Sequence, residues 1–298
     1  MELTGLHLLL SYQCTFECDH CFVWGSPWQS GTMTLGQVRR ILQEAKEVGT
    51  VTSIYFEGGE PFLYYPVMLH GVIQAREMGF SVGIVSNAYW AEDVESALEW
   101  LRPLAGLVDD LTVSSDLFHY SEKISRQSQN AAAAAAELGI PLGTICIARP
   151  DDPAQAGVGQ IPQGESGVLY RGRAIDKLAA YAPHHPWTEF TTCPHEDLRE
   201  PGRVHVDAYG NLHVCQGIVI GNLFREPLKE IAARYNPDGH YIVGPLLVGG
   251  PAQLVRTYGL EHEPAYADAC HLCYSMRLAL RSRFPHILTP DQMYGIVS

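Results

Sequence analysis

Short apolar runs with the look of strands alternate with helix-like runs through the first half of the chain, and this alternation restricts the fold more than any other property of the sequence. Leu6 to Ser11, Ser53 to Phe56, Ser81 to Val85, Leu111 to Ser114 and Gly143 to Ala148 read as strands. Between the first two, Val38, Ile41, Leu42, Ala45 and Val48 keep one apolar face at helical spacing, and helical patterns recur over Val67 to Met78, Asp93 to Leu101 and Glu122 to Leu138. Thr34 followed by Gln37 is a capping-box start for the first helix, and Gly49, Gly79 and Gly139 stand where left-handed residues end helices. The alanine run Ala131 to Ala136 suits close helix packing. Strands separated by helical crossovers pair in parallel, so the chain is expected to be α/β, with its chemistry on loops at the carboxyl ends of the strands. Val168 to Tyr170 is the expected sixth strand, with Ala174 to Ala180 as its helix; the stretch from Pro150 to Gly167 before it reads as a long active-site loop or a connection.

Composition narrows the function classes. At 298 residues, 46% hydrophobic and 18% charged, the chain has ordinary globular usage. Its formal net charge of -13, without a run of Lys and Arg, disfavours nucleic acid and anionic membranes as partners. No stretch reaches the roughly 18 to 20 apolar residues of a membrane span, and Met1 to Leu10 carries Glu2 without a basic region or cleavage site, so the mature chain is expected to start at Met1. Eight clustered cysteines suit metal binding in a reducing cytoplasm better than a disulfide framework.

Cys14, Cys18 and Cys21 put three thiols just past the first strand, in a C-x3-C-x2-C spacing with His20 before the last cysteine and Phe22 after it. Thiolates hold iron–sulfur clusters, and a four-iron cube held by three of them keeps one iron with an open position. A zinc loop or unrelated reduced thiols are the plainer readings. The spacing resembles the cluster loop of the radical S-adenosylmethionine (radical SAM) superfamily. That resemblance implies a 4Fe-4S cluster on Cys14, Cys18 and Cys21, SAM bound to its open iron, and reductive cleavage to a 5′-deoxyadenosyl radical. It also implies a partial (β/α)6 TIM-like barrel and an external reductant such as flavodoxin or ferredoxin.

Glu57-Gly58-Gly59-Glu60-Pro61 ends the second strand. Paired glycines let backbone approach a ligand, and a carboxylate beside them accepts from a cationic amine. By resemblance, the G-G-E-P element brings Gly58, Gly59 and Glu60 to the SAM amino group. The same resemblance carries SAM contacts to Ser114 and Asp116 after the fourth strand and places a carboxylate-pairing arginine at Arg126 in the following helix; the plainer readings are a helix-entry cap for Asp116 and a solvated helix face for Arg126. Phe22, and Ser86 and Asn87 after the third strand, are further candidate SAM neighbours, the latter pair reading equally as an ordinary turn. His119 is a candidate substrate neighbour, but a lone histidine is more often structural. The His184-His185 pair reads as loop, and no catalytic residue is assigned.

Beyond Pro183 the texture changes. Arg203 to Val206 and Asn211 to Cys215 flank Asp207-Ala208-Tyr209-Gly210 and read as a hairpin. Cys193, Cys215, Cys270 and Cys273 supply four thiols, a number that closes a tetrahedral site for zinc or an iron–sulfur cluster alike. The arrangement is similar to the twitch domain, the short form of the SPASM extension, which implies an auxiliary 4Fe-4S cluster; the interval from Cys193 to Gly210 is longer than is usual there. Cys146, inside a strand candidate, reads as a core residue. The expected organisation is a radical SAM core over residues 1–180 and a small α+β twitch/SPASM-like domain over 181–298. The expected function is radical SAM oxidation or cyclisation of a small molecule, an oxidoreductase reaction. The alternatives are a peptide- or protein-modifying enzyme of the same superfamily and a non-catalytic iron–sulfur or zinc protein.

Overall fold

The computed structural model describes residues 1–121, 125–150 and 167–296. Five parallel strands, β1 (Gly5–Ser11), β2 (Ser53–Gly58), β3 (Ser81–Ser86), β4 (Asp110–Ser114) and β5 (Leu142–Ile145), alternate with α1 (Leu35–Val48), α2 (Tyr65–Glu77), α3 (Val94–Leu101) and α4 (Arg126–Leu138). This is a partial TIM-like barrel, a mostly parallel sheet with flanking helices, as the alternation requires. The predicted strand and helix cores form, and their ends differ by a few residues.

Local chemistry fixes several of those ends. Thr34 Oγ1 accepts from Gln37 N and Gln37 Oε1 from Thr34 N, so the capping box is complete, and Gly49 closes α1 in the left-handed conformation. Val38, Ile41, Leu42 and Ala45 are the buried stripe of this helix. Ser125 caps α4 by accepting from Ser128 N, and Ala131, Ala134 and Ala135 are fully buried in its packed face. The proposed start of this helix at Glu122 falls in 122–124, outside the described residues.

Two strand expectations need correction. β5 stops at Ile145 because Ile147 N is taken by Asp116 Oδ2 at 3.2 Å, which draws the chain off the ladder and leaves Cys146 just beyond the strand. Val168 to Tyr170 is not a strand: Tyr170 N donates to Asp268 Oδ2 and Arg171 N to Leu169 O, so these amides serve a helix cap and a turn. Ala174 to Ala180 resolves into a short α5 (Ala174–Lys177) and a single 3-10 turn. Most of the Pro150 to Gly167 stretch, 151–166, lies outside the described residues.

The sixth parallel strand comes from further along the chain. After a two-residue β6 (His185–Pro186), β7 (Arg203–Val206) pairs in parallel with β1, Gly5 opposite Arg203 through Leu8 opposite Val206. It then begins an antiparallel meander through β8 (Asn211–Cys215) and β9 (Ile218–Asn222). One eight-stranded sheet results, in the order β5-β4-β3-β2-β1-β7-β8-β9. Helices α6 (Leu228–Arg234), α7 (Val243–Tyr258) and α8 (Ala269–Leu280) follow. β1, with a partner on each side, is buried at every residue. Among the described residues no helix is long and apolar enough to cross a membrane.

Candidate active site

β1 ends at Ser11 and runs directly into the cysteine loop, which folds back through Cys14 N donating to Ser26 O and Cys21 N to Cys18 O. Cys14 and Cys18 are buried and Cys21 is half-buried. Cys14 Sγ accepts from Phe16 N and Asn87 Nδ2, each at 3.5 Å, and Cys21 Sγ accepts from Gly25 N at 3.2 Å. Burial pushes the Cys14 thiol up to about 12, with the Glu60 charge adding to it. Burial also raises Cys18, followed by the nearby Cys21 and Cys14. Thiols that burial keeps protonated suit a cationic metal core, because coordination supplies the positive charge that deprotonates them.

The brace on this loop is a residue that the motif does not reveal. Arg173, 3% exposed, donates to Cys18 O at 2.7 Å and Gly25 O at 2.8 Å, and its own N–H donates to Cys21 O at 3.0 Å. Its guanidinium lies 5.5 Å from the Trp24 ring centre. Gly172 precedes it with φ +63°, where a Cβ would come within 2.4 Å of Cys21 O. The sequence signal was available as Arg171-Gly172-Arg173, which alone reads as an ordinary surface turn.

The Gly-Gly-Glu turn meets this loop edge to edge. Gly59 N donates to Ser11 O at 2.6 Å and Glu60 N to Gln13 O at 2.9 Å; a Cβ on Gly59 would sit 2.0 Å from Gln13 O. Gly58 takes φ +137° against the same strand end. Glu60 is fully buried, its Oε1 accepting from Phe62 N and Ser86 Oγ and its Oε2 from Asn87 N. Burial pushes this carboxyl up to about 7 in spite of those three donors. Glu60, Ser86 and Asn87 thus form one knot, and Asn87 extends it to the Cys14 sulfur.

The β4 residues are built into their own turn. Asp116 Oδ1 accepts from Phe118 N and His119 N and lies 2.8 Å from His119 Nδ1, while Oδ2 accepts from Ile147 N. Burial acts to raise the Asp116 carboxyl, yet its bond with His119 and the His119 charge hold it below its ordinary value. Ser114 is half-buried at the strand end, and Ser115 Oγ accepts from Ser125 N in the cap of α4. His119 packs edge-on to Phe16 and His20 beside the cysteine loop. Arg126 stands apart: it is exposed, and its charge acts on Asp93, the cap of α3.

The four later cysteines line one enclosed cavity together with Arg171 and Arg277. Cys270 and Cys273 sit in the first turns of α8, which Asp268 caps by accepting from His271 N. Burial pushes Cys193 up to about 12, with Cys215 and Cys273 adding to it. Burial raises Cys270 and Cys273 as well, opposed by Arg171 and Arg277 respectively. Arg171 Nη1 reaches Glu196 Oε1 at 3.0 Å and Cys215 Sγ at 3.7 Å; Arg277, 1% exposed, donates to Gln216 O. The Nε atoms of both arginines are buried without a hydrogen-bond partner. Orphaned cationic donors beside four thiols suit an anionic, thiolate-bound centre.

A cavity of about 730 Å³ lies between the two cysteine sets. Its wall takes every second residue of neighbouring strands, among them His7, Tyr55, Glu57, Asp110, Thr112, Arg203 and His205. Phe22 carries it toward Cys21, and Arg171 and Gln216 carry it toward the later cysteines. Phe22 lies beneath the Arg171 guanidinium, 5.6 Å from it. Burial acts to raise Glu57, but His7 and His205 facing it pull the carboxyl well below the usual range. This polar bore was missed in the sequence, where Ser53-x-Tyr55-x-Glu57 and Arg203-x-His205 show the period-two signal without its cross-strand meaning.

Residues 8–149 match the family described as the radical SAM superfamily. Over 113 residues the chain is 30% identical to YydG of Bacillus subtilis (strain 168), named for peptide biosynthesis, covering 37% of this chain and 35% of that protein. Over 126 residues it is 29% identical to the tungsten-containing aldehyde ferredoxin oxidoreductase cofactor-modifying protein of Pyrococcus furiosus, covering 42% and 32%. The chain spans about a third of the length of these curated relatives. Among solved structures, BtrN in complex with AdoMet and 2-DOIA superposes with a TM-score of 0.52 at 14% identity, covering 77% of this chain and 81% of that one. The anSMEcpe structure with bound AdoMet and Cp18Cys peptide does so with a TM-score of 0.52 at 13% identity, covering 95% and 97%. At such identities the likeness is one of fold.

Proposed function

The chain carries a radical SAM domain over residues 8–149, and from that premise we propose that it is an enzyme whose Cys14, Cys18 and Cys21 hold the SAM-binding 4Fe-4S cluster. The observation that carries this reading is the three-thiol loop at the carboxyl end of β1, with Cys14 and Cys18 buried, locked against the Gly-Gly-Glu turn by Gly59 and braced by Arg173. When bound, the cluster and SAM supply a 5′-deoxyadenosyl radical that abstracts hydrogen from substrate. The protein's part is placement. Gly58 and Gly59 open backbone room beside the loop, the Glu60–Ser86–Asn87 knot fixes the β2 and β3 ends around it, and Phe22 closes the loop over the bore. Ser114, half-buried, and Asp116, 1% exposed and bonded within its own turn, are kept as SAM neighbours on the family resemblance alone; Arg126, exposed beside Asp93, is not brought to the site.

For the second set we propose an auxiliary 4Fe-4S cluster on Cys193, Cys215, Cys270 and Cys273, supported by the shared cavity and by the unpaired Nε atoms of Arg171 and Arg277. Held there by the four cysteines, a second cluster would supply an electron acceptor beyond the bore, which suits a net oxidation. The mixed acidic and basic wall of the bore favours a polar small molecule as substrate. A second reading, a peptide substrate, draws support from YydG, named for peptide biosynthesis, and from anSMEcpe solved with a peptide.

The test is anaerobic reconstitution with iron and sulfide, then dithionite and SAM. The reading requires about eight irons per chain and release of 5′-deoxyadenosine. Cys14→Ala should release none, and the triple change of Cys14, Cys18 and Cys21 to Ala should leave roughly half the iron. Nucleoside release by the triple variant would remove the loop from the chemistry, and full retention of iron would remove the two-site split.

A further inference from the structure

We propose that His7, Glu57 and His205 form a binding site for one divalent first-row transition ion, zinc(II) or iron(II), in the wall of the bore and apart from both cysteine sets. The three residues come from neighbouring strands: His7 on β1, Glu57 on β2, and His205 directly opposite His7 on β7. Register puts the two imidazoles on the same face of the sheet, and one ligand atom from each of the three residues lies within 4.8 Å of the other two.

The contacts are close but do not satisfy one another. His7 Nδ1 is 3.2 Å from Glu57 Oε2, and His205 Nε2 is 3.0 Å from Glu57 Oε1. Even so, His7 Nδ1 and Glu57 Oε1 are buried with no hydrogen-bond partner, because the groups approach without pointing along a shared N–H. Donors arranged in this way surround a common centre. Bonds of about 2.1 Å at angles of roughly 90 to 110° place ligand atoms some 3.0 to 3.4 Å apart, and each imidazole nitrogen stands at such a distance from one of the two Glu57 oxygens, as a carboxylate binding one ion through both oxygens would require.

The His7 ring is also held as a ligand needs to be. His7 stacks on Tyr55 with centroids 4.6 Å apart and planes at 4°. Tyr55 is fixed in turn by its hydroxyl donating to Asp110 Oδ2 at 2.9 Å. It lies flat across β3 only because Gly83 has no Cβ, which would sit 2.2 Å from its ring. Partners that set ring orientation are the usual support of a metal-binding imidazole. Two imidazoles and a carboxylate select a borderline transition ion over magnesium or calcium and leave coordination positions open to the cavity. An ion there would hold an oxygen of the substrate, a carboxylate or hydroxyl, in the passage between the cysteine sets. It changes no bond and carries no electron in this proposal, which stands whether or not either set holds a cluster.

The test uses the full chain, anaerobically reconstituted, equilibrated with zinc sulfate and desalted. Zinc, iron and sulfide are then measured together, with X-ray absorption at the zinc edge. The site predicts about one zinc per chain with nitrogen and oxygen neighbours near 2.0 to 2.1 Å, separate from any zinc with sulfur neighbours near 2.3 Å that an unfilled cysteine set takes. Glu57→Gln and His205→Gln should each weaken zinc binding at least about tenfold at unchanged iron and sulfide, as loss of one ligand does. Failure of the unaltered chain to retain zinc, a zinc shell made of sulfur alone, or undiminished nitrogen- and oxygen-bound zinc in both variants would overturn the proposal. The absorption measurement on the unaltered chain decides even where a variant fails to fold.

Discussion

Replacing Arg173 with Met asks how firmly the amino-terminal cysteine loop is held from outside. The guanidinium makes two bonds to loop carbonyls, at 2.7 and 2.8 Å, and rests over Trp24. At 3% exposure, neither Cys18 O nor Gly25 O gains water in exchange when the donor goes. Hydrogen bonds from a charged donor are worth about 1.5 to 3 kcal/mol each, and the ring contact about 0.5 to 2 kcal/mol. Met refills part of the volume and such terms do not add fully, so a loss of about 3 to 5 kcal/mol is expected. That is a large share of the roughly 5 to 15 kcal/mol that keeps a domain folded. The assay is urea unfolding of the metal-free protein, followed by iron and sulfide content after reconstitution. Arg173→Met should unfold at lower urea and take up less iron, and Arg173→Lys, whose compact ammonium reaches fewer carbonyls, should fall between. If Arg173→Met unfolds within about 1 kcal/mol of the parent and takes up the same iron, the loop is fixed by its own turns and the brace is incidental.

Glu60 gives a pH test. Its carboxyl is raised to about 7 by burial, so between about 4.5 and 7 the unfolded chain has released a proton that the folded one keeps, and this contribution is lost as pH rises through that window. Histidines such as His20, lowered to about 4 by burial, act in the opposite sense, so the quantity to measure is the difference from Glu60→Gln. Relative to that variant, the metal-free parent should lose up to about 3 kcal/mol from pH 4.5 to pH 7 by urea unfolding; a constant difference would refute the shift. Gly59→Ala should cost more than about 3 kcal/mol or prevent iron uptake, because its Cβ would lie 2.0 Å from a backbone oxygen that cannot move aside. A Gly59→Ala protein of parental midpoint and iron content would show that the turn and the loop are not in register.

The parts of this molecule legible in its sequence are those whose causes are local. Thr34, Gln37 and Gly49 announce both ends of α1 within their own turns, and the motif cysteines declare a thiol site by spacing alone. The sixth parallel strand was misplaced because its partner is β1, at the far end of the chain, and no pattern within Arg203 to Val206 names that partner. Glu60, Ser86 and Asn87 were each identifiable as candidates, but their union around one carboxylate depends on how β2 lies against β3. The bore was hidden for a similar reason. A single polar residue on a strand means little until register stacks His7, Glu57 and His205 side by side. Arg171-Gly172-Arg173 reads in sequence as a surface turn, since a buried arginine is recognised only by what surrounds it.

The Arg171-Gly172-Arg173 tripeptide has a bearing on how the two sulfur-rich sites behave as a pair. One arginine grips the Cys18 carbonyl, the other touches the Cys215 sulfur, and three residues of backbone span no more than about 10 Å even when fully stretched. The separation of the two thiol groups is therefore tied to a short covalent tether and the reach of two arginine side chains, and the halves of the molecule move apart there only by breaking one of those grips.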